Sequence, residues 1–380
     1  MNANYQEYMF SDLIEEVEER NTSLEYGLDD IVGVTIEKGL IPTIANLTQT
    51  ALDKFYIVKP DTFVYNPRTH GVRLGMGYND TNKIFLTSWN NVAFRVKEDA
   101  KKIVLSKYLW IYFNRPEWDR QTNFMAWGSS TIVFAWNDFL SIKIKLPNLK
   151  EQEKIVNTYN AITKRIQLKQ KINENLEKTA QTIYKKMFVE NADENWKKCE
   201  LGEIVEIKRG GSPRPISDYM SNDGYRWLKI SDATSSNSPF IFKTEEFIKK
   251  EGLKNTVYLK SGSLVLSNSA TPGLPKILKV DTCIHDGWLY FPKSFFSNEY
   301  LYLLFQSIRD ELRSLGNGSI FTNLKTDILK EYKILISDKE KLNEFQRIIN
   351  PIFKQLFNTS KEIEKLELFK QSVISRISGM

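Results

Sequence analysis

The chain offers very little thiol or imidazole chemistry. Its 380 residues include 2 cysteines, Cys199 and Cys283, and 2 histidines, His70 and His285. Two thiols cannot build a disulfide framework, nor a structural zinc site alone, and sparing use of cysteine fits a reducing cytosol. The histidines are too far apart in sequence for a His-x-x-x-His metal pair, and no nucleophile elbow accompanies either one as a triad would require. Each is expected to serve structure or contact nucleic acid. Long apolar runs are absent too. The longest, residues 108–113 and 301–305, fall far short of the roughly 18 needed to cross a bilayer, and the N-terminus lacks a basic-then-apolar signal. A soluble, cytoplasmic protein is expected.

Nucleotide chemistry is equally missing. There is no Gly-x-x-x-x-Gly-Lys-Ser/Thr, and Gly71, Gly75 and Gly77 do not have dinucleotide-loop spacing. Pro60-Asp61 with Asp99-x-Lys101 matches a metal-nuclease pattern only loosely, its spacing being too long. Asn66-Pro67-Arg68 lacks the second proline and the aromatic of an amino-methyltransferase pocket. Catalytic, cofactor-binding and metal-binding residues are therefore not expected.

What is present is an ordinary globular composition, 41% hydrophobic and 26% charged, with 22 Phe, 17 Tyr and 8 Trp, long enough for two or three domains. The net charge of +6 hides an asymmetry: residues 1–30 carry nine acids against one base, or −8, leaving +14 on residues 31–380. That surplus is compatible with a polyanionic partner and equally with a solvated surface rich in lysine.

Sliding the sequence along itself shows a repeat with a register close to 190. Phe139-Leu140, Ile144, Leu146, Ile155, Tyr159, Ile162, Ile166, Leu176, Ile183 and Met187 lead through the first copy. Ile334, Ile336, Phe345, Ile349, Ile352, Leu356, Leu366, Val373 and Ile377 hold the same places in the second. Upstream, Gly128-Ser129 matches Gly318-Ser319, Tyr108-Leu109 with Phe113 matches Tyr300-Leu301 with Phe305, and Phe10 and Ile14 match Leu201 and Val205. Tyr56-Ile57-Val58-Lys59 and Val64 need a shift of 201, to Val257-Tyr258-Leu259-Lys260 and Val265.

Each copy opens with a part rich in β-formers, glycine and turns, expected to be a mixed α+β unit over residues 1–147 and 191–336. Helical spacing predicts short helices at 108–113 and 299–315. Each copy closes on a segment of different character. Residues 150–188 contain no Gly or Pro, and the stripe Ile155, Tyr159, Ile162, Ile166, Ile172, Leu176, Ala180, Ile183, Met187 predicts one long helix. Residues 339–377 repeat the stripe through Ile363, Leu366, Phe369 and Val373, with Pro351 where the first copy has Ala161, so a kink or a reset helix start is expected there. Forty residues of helix span about 60 Å, more than one small domain covers. The two stripes are expected to hide against each other as an antiparallel coiled coil, rather than each on its own unit. The fold class is thus α+β: two similar globular domains, two long antiparallel helices and an internal pseudo-twofold repeat, divided as 1–147, 148–190, 191–336 and 337–380.

Polar loops interleave bases and aromatics at matching places. The first copy has Tyr65-Asn66-Pro67-Arg68-Thr69-His70-Gly71-Val72-Arg73 and Trp127-Gly128-Ser129-Ser130-Thr131. The second has Ser267-Asn268-Ser269-Ala270-Thr271 and Asn317-Gly318-Ser319-Ile320-Phe321-Thr322. Such side chains pair with base edges and phosphates, and they also build any surface turn.

The second copy carries Trp196, then Cys199-Glu200-Leu201-Gly202-Glu203-Ile204-Val205-Glu206-Ile207-Lys208-Arg209-Gly210-Gly211-Ser212-Pro213. Trp227-Leu228-Lys229-Ile230-Ser231-Asp232 and Leu259-Lys260-Ser261-Gly262-Ser263-Leu264-Val265-Leu266-Ser267 follow. This resembles a target recognition domain of the specificity (S) subunit of type I restriction-modification systems. Ile144-Lys145-Leu146-Pro147 with Glu151-Gln152-Glu153-Lys154-Ile155 resembles that family's strand-proline-Glu-Gln-x-x-Ile entry into its central spacer helix. Departures are Phe10-Ser11-Asp12-Leu13-Ile14-Glu15-Glu16 in place of Leu-Gly-Glu-Ile, and Ser337 and Leu342 where the first copy has Pro147 and Gln152.

The resemblance covers essentially the whole chain. It implies a non-catalytic reader of double-stranded DNA, each domain recognising one half of a bipartite, asymmetric target while the paired helices act as a ruler. It also implies docking of two modification (methyltransferase) subunits and of restriction (translocase/nuclease) subunits, with S-adenosylmethionine, ATP and Mg on those partners and no cofactor here. No membrane partner is expected. The residues expected at the DNA face are Asn66, Arg68, Arg73, Ser129, Ser130, Lys208, Arg209, Ser267, Asn268, Asn317, Ser319 and Thr322. The rival reading is a non-enzymatic protein-binding scaffold of two α+β modules on a coiled-coil stalk; a third is a fused enzyme that cuts or methylates alone.

Overall fold

Short runs of β-branched and aromatic residues cut by Gly, Asn and Asp turns become short strands, and the two glycine-free segments become long helices. The structure, a computed structural model, describes residues 5–43, 50–69, 73–127, 132–315 and 324–378. It forms two units, residues 1–165 with 366–380, and residues 166–365.

In the first unit, strand Gln6–Met9 pairs antiparallel with Lys143–Leu146, and a one-turn helix, Phe10–Leu13, follows at once. The main sheet is antiparallel in the order Ile14–Glu16, Val92–Val96, Phe63–Tyr65, Met76–Tyr78. Its register aligns Phe94 with Phe63 and Phe63 with Tyr78, and these rings stack at centroid distances of 5.0 and 4.5 Å. Phe10, Phe113, Trp118 and Phe139 pack beyond them, all 0% exposed. Aromatic pairs of this kind add about 0.5–1.5 kcal/mol each beyond burial, so the ring cluster adds to the aliphatic packing of buried Leu13, Val64, Leu86 and Leu109. At Gly77 a Cβ would lie 2.5 Å from Leu40 Cδ2.

The second unit repeats the plan. Strand Lys197–Glu200 pairs with Lys333–Ile336, and the one-turn helix Leu201–Ile204 follows. The sheet order is Val205–Arg209, Trp288–Ser294, Leu264–Ser267, Pro275–Leu278 and Phe240–Ile241, the last pairing parallel. The first four strands take the order of the first unit's sheet, so the repeat is one of topology. Tyr56–Val58 pairs antiparallel with Phe85–Thr87, as Val257–Leu259 does with Thr282–Ile284. The parallel pairing of Tyr225–Leu228 on Thr282–Ile284 survives in the first unit as a single bridge, Ile31 to Leu86.

The central helix runs Leu149–Lys185 and closes with a π turn over Lys186–Glu190. The distal helix runs Lys339–Ser378, and each contributes residues to both units. In the first unit Lys370 Nζ lies 5.1 Å from the Tyr159 ring centroid. In the second, Lys169 pairs with Glu362, Asn173 Nδ2 donates to Ser360 Oγ at 3.0 Å, and the Phe188 and Phe345 rings meet at 4.9 Å. Partners fall in number as positions rise, so the helices are antiparallel.

The buried face of the central helix differs from the expected stripe by one position at several turns. Gln152, Val156, Tyr159, Ile162, Ile166, Asn173, Ala180, Tyr184 and Phe188 are buried, whereas Ile172 is 45% exposed. Among the buried residues, those at 159, 166, 173 and 180 recur with a seven-residue period, which a left-handed helix pair keeps facing inward. Phe369, also placed in the stripe, is 48% exposed. The distal helix passes Pro351 unbroken, with no reset start; buried Ile349 and Phe353 flank it, and their packing offsets the missing backbone donor. The helix expected over 299–315 is two, Asn298–Ser307 and Arg309–Leu315, because Ile308 leaves helical geometry at φ −99°, ψ 7°.

Candidate nucleic-acid interface

In the second unit strand Val205–Arg209 pairs with Trp288–Ser294, with a register shift between Glu206 and Lys208. The chain then turns so closely against residues 284–288 that only glycine fits. A Cβ on Gly210 would lie 2.2 Å from the His285 carbonyl oxygen, and the Gly210 and Gly211 amides donate to Trp288 and Ile284 carbonyls at 2.9 and 3.3 Å. This approach brings the Lys208-to-Arg214 segment onto Asp286. Ser212 Oγ donates to Asp286 Oδ1 at 2.6 Å, an Arg214 terminal nitrogen to Oδ2 at 3.3 Å, and Arg209 Nε to the Asp286 carbonyl at 2.5 Å. The Ser212 hydroxyl, with Arg214 and Arg209, holds the Asp286 carboxyl below the usual range despite partial burial.

His285 is kept neutral. Burial pushes its imidazole below the ordinary value, against the pull of Asp286, and Nδ1 accepts the Gly287 amide at 2.8 Å, which leaves the proton on Nε2. Lys208 is half-exposed and pairs with Glu206 at 2.8 Å.

A third segment completes the site. Ser267 is fully buried; its hydroxyl donates to the Thr271 carbonyl and accepts the Leu274 amide at 2.9 Å. That hydroxyl is spent on its own turn, so Ser267 builds the loop rather than facing solvent. Asn268 is 3% exposed. Its amide N–H donates to the Gly287 carbonyl at 2.9 Å and its Nδ2 to the Asp286 carbonyl at 3.3 Å, while its buried Oδ1 has no partner among the described residues. Burial separates these two from the exposed bases, which residue type alone could not.

In the first unit Asn66 Oδ1 accepts the Arg68 amide at 3.0 Å, an Asx turn that presents Arg68 to solvent. Arg68–Thr69 pairs with Ile132–Val133, and Val133 bridges to Trp127, which is 75% exposed. Arg73 is exposed and lies 4.0 Å from Asp119, whose other oxygen holds Lys38 at 2.6 Å. Asn66, Arg68 and Arg73 thus belong to one unit, and Lys208, Arg209 and Asn268 to the other. Ser129, Ser130, Asn317, Ser319 and Thr322, with His70 and the Gly128-Ser129 and Gly318-Ser319 matches, lie outside the described residues.

Sequence reasoning missed Asp286, Arg214 and Ser212 as a group. The signal was an Asp-Gly turn after strand Thr282–Ile284 and an Arg-Gly-Gly-Ser-Pro-Arg run that only a backbone contact explains. Matching strands place Val17-Glu18 where the second unit has Lys208-Arg209, so equivalent positions of the two units differ in charge. Among the described residues no group of three or more His, Cys, Asp and Glu is placed to hold a metal, and no helix is long and apolar enough to cross a membrane.

Comparison with known proteins gives this geometry a family. The model for the type I restriction modification DNA specificity domain matches twice, at residues 21–178 and 193–370. The MjaIX type I restriction enzyme specificity subunit of Methanocaldococcus jannaschii is 21% identical over 335 residues, 80% of this chain and 75% of that protein. The HindI specificity subunit of Haemophilus influenzae is 22% identical over 364 residues, 75% of this chain and 79% of that protein. The crystal structure of the S subunit from M. genitalium superposes with a TM-score of 0.58 at 15% identity, covering 99% of this chain and 96% of that one, a likeness of fold. With its strand order repeated in both units and the specificity-domain model matched in each half, the chain belongs to the type I restriction-modification DNA specificity family.

Proposed function

We propose that this chain is the non-catalytic DNA reader of a type I restriction-modification complex, each unit recognising one half of a bipartite, asymmetric duplex target. The observation that carries this reading is that two units of the same strand order present different side chains at equivalent strand ends: Lys208-Arg209 against Val17-Glu18, and Ser267-Asn268 against Asn66-Pro67. DNA strands are themselves twofold related, so two units of the same strand order can each meet a half-site in the same manner, and unlike side chains make the halves unlike. Within the units, Asn66, Arg68, Arg73, Lys208 and Arg209 are the residues assigned to the DNA face; Ser129, Ser130, Asn317, Ser319 and Thr322, assigned to it from the sequence, lie outside the described residues. Asn268 is assigned a supporting place beneath it.

The outward faces of the helix pair would dock two modification subunits, and restriction subunits would join that core. S-adenosylmethionine, ATP and Mg would be used by those partners and not by this chain, in the cytoplasm. The test is binding of the purified chain to duplex over a salt series. A reader that tracks phosphates gives a steep negative slope of log affinity on log salt and no methylated or cut product when metal and S-adenosylmethionine are added. Salt-independent behaviour, or product from the chain alone, contradicts the reading.

A further inference from the structure

The side chains of Arg209, Ser212 and Arg214 in the basic loop of the second unit converge on one residue. The Asp286 carboxylate takes Ser212 and Arg214, and its carbonyl takes Arg209 and Asn268. Three separate segments, 208–214, 267–271 and 285–287, are tied there. A carboxylate beside cations that face phosphate opposes DNA binding in simple electrostatic terms, so its presence calls for a reason other than charge. The first unit supplies one by contrast. Strand pairing sets Thr87 against Tyr56 and Ile284 against Val257, which puts Trp89 at the place of Asp286, and Val17-Glu18 stands in place of Lys208-Arg209. The anchor is absent where the arginine loop is absent.

We propose that Asp286 is a positioning residue that presets Arg209, Arg214 and the 210–213 backbone to read one half of the DNA target. The proposal rests on the reading of each unit as a half-site reader. The geometry makes the role depend on both carboxylate oxygens. In Asp286→Asn one oxygen can still accept from Ser212, but the amide then turns N–H groups toward Arg214 and that contact is lost.

The test is selection from a random duplex library by the full-length chain, wild type against Asp286→Asn, with Arg209→Ala run alongside to identify the half read by the second unit. The expected result is that Asp286→Asn keeps the other half intact, and with it an internal proof of folding. It loses the half that Arg209→Ala loses, discrimination there falling about tenfold or more. Binding to unrelated duplex at low salt holds or rises, since one negative charge is gone. Ser212→Ala, a milder change, lowers discrimination in the same half. An unchanged half-site in both variants overturns the proposal. So does a switch confined to one base position, which would make Asp286 a base-reading residue. A wild-type chain that selects no two-part motif overturns the function reading, and the proposal with it.

Discussion

Lys276 stands on strand Pro275–Leu278 at 3% exposure, its ammonium donating to the Ser236 and Ser238 carbonyls at 2.8 and 2.5 Å. Burial brings its pKa down from 10.5 to about 8, with Glu177 pulling upward and Arg309 pushing further down. Between those two values the unfolded chain keeps a proton that the folded chain has released. Stability contributed by Lys276 is therefore fully present above the unfolded value and is lost as pH falls through the folded one. From about pH 7 to about pH 9.5 the gain is about 2 kcal/mol. Lys276→Met keeps the buried stem and removes the titration. Urea unfolding followed by tryptophan fluorescence, at steps across that range, is expected to show the wild-type chain gaining on the variant by about 2 kcal/mol. Parallel pH profiles for the two proteins would refute the reasoning, since they would mean the charge is not confined by burial.

Three further perturbations follow from packing. Gly210→Ala, whose Cβ would lie 2.2 Å from the His285 carbonyl oxygen, is expected to cost about 1–3 kcal/mol in urea unfolding and to weaken duplex binding measured by fluorescence anisotropy. Phe139→Ala removes a fully buried ring within 5.0–5.2 Å of Phe10, Trp118 and Phe94, and thermal and urea unfolding should register a loss of about 3–5 kcal/mol. Asp119→Asn strands Lys38, whose side chain is 5% exposed and 2.6 Å from that carboxylate, at a cost of about 3 kcal/mol near neutral pH. Because burial already holds the Lys38 pKa below its ordinary value, that cost should shrink as pH rises and the ammonium releases its proton.

The repeat and the helices were legible because they rest on periodicity, which survives change of side chain. The shift of 190 follows the paired terminal strands and long helices, and the shift of 201 between Tyr56 and Val257 follows strands Tyr56–Val58 and Val257–Leu259. Finer detail was set by tertiary contacts. Which of Ile155 and Val156 faces inward depends on the partner helix, since both are apolar and adjacent. Pro351 is tolerated because Ile349 and Phe353 are buried on either side. At the site, Arg68, Arg209 and Lys208 were visible as exposed bases, but Ser267 and Asn268 look the same in sequence whether they face solvent or build a turn. Asp286 escaped notice because its partners come from segments about 70 residues earlier in the chain.

The most direct test of the central claim is single-molecule sequencing of methylated bases in cells with and without this gene. Two units reading unlike halves predict a two-part, non-palindromic motif whose methylation disappears with the gene, and whose one half changes when Arg68 is replaced and the other when Arg209 is replaced. A contiguous or palindromic motif, or a methylation pattern indifferent to the gene, would contradict the account.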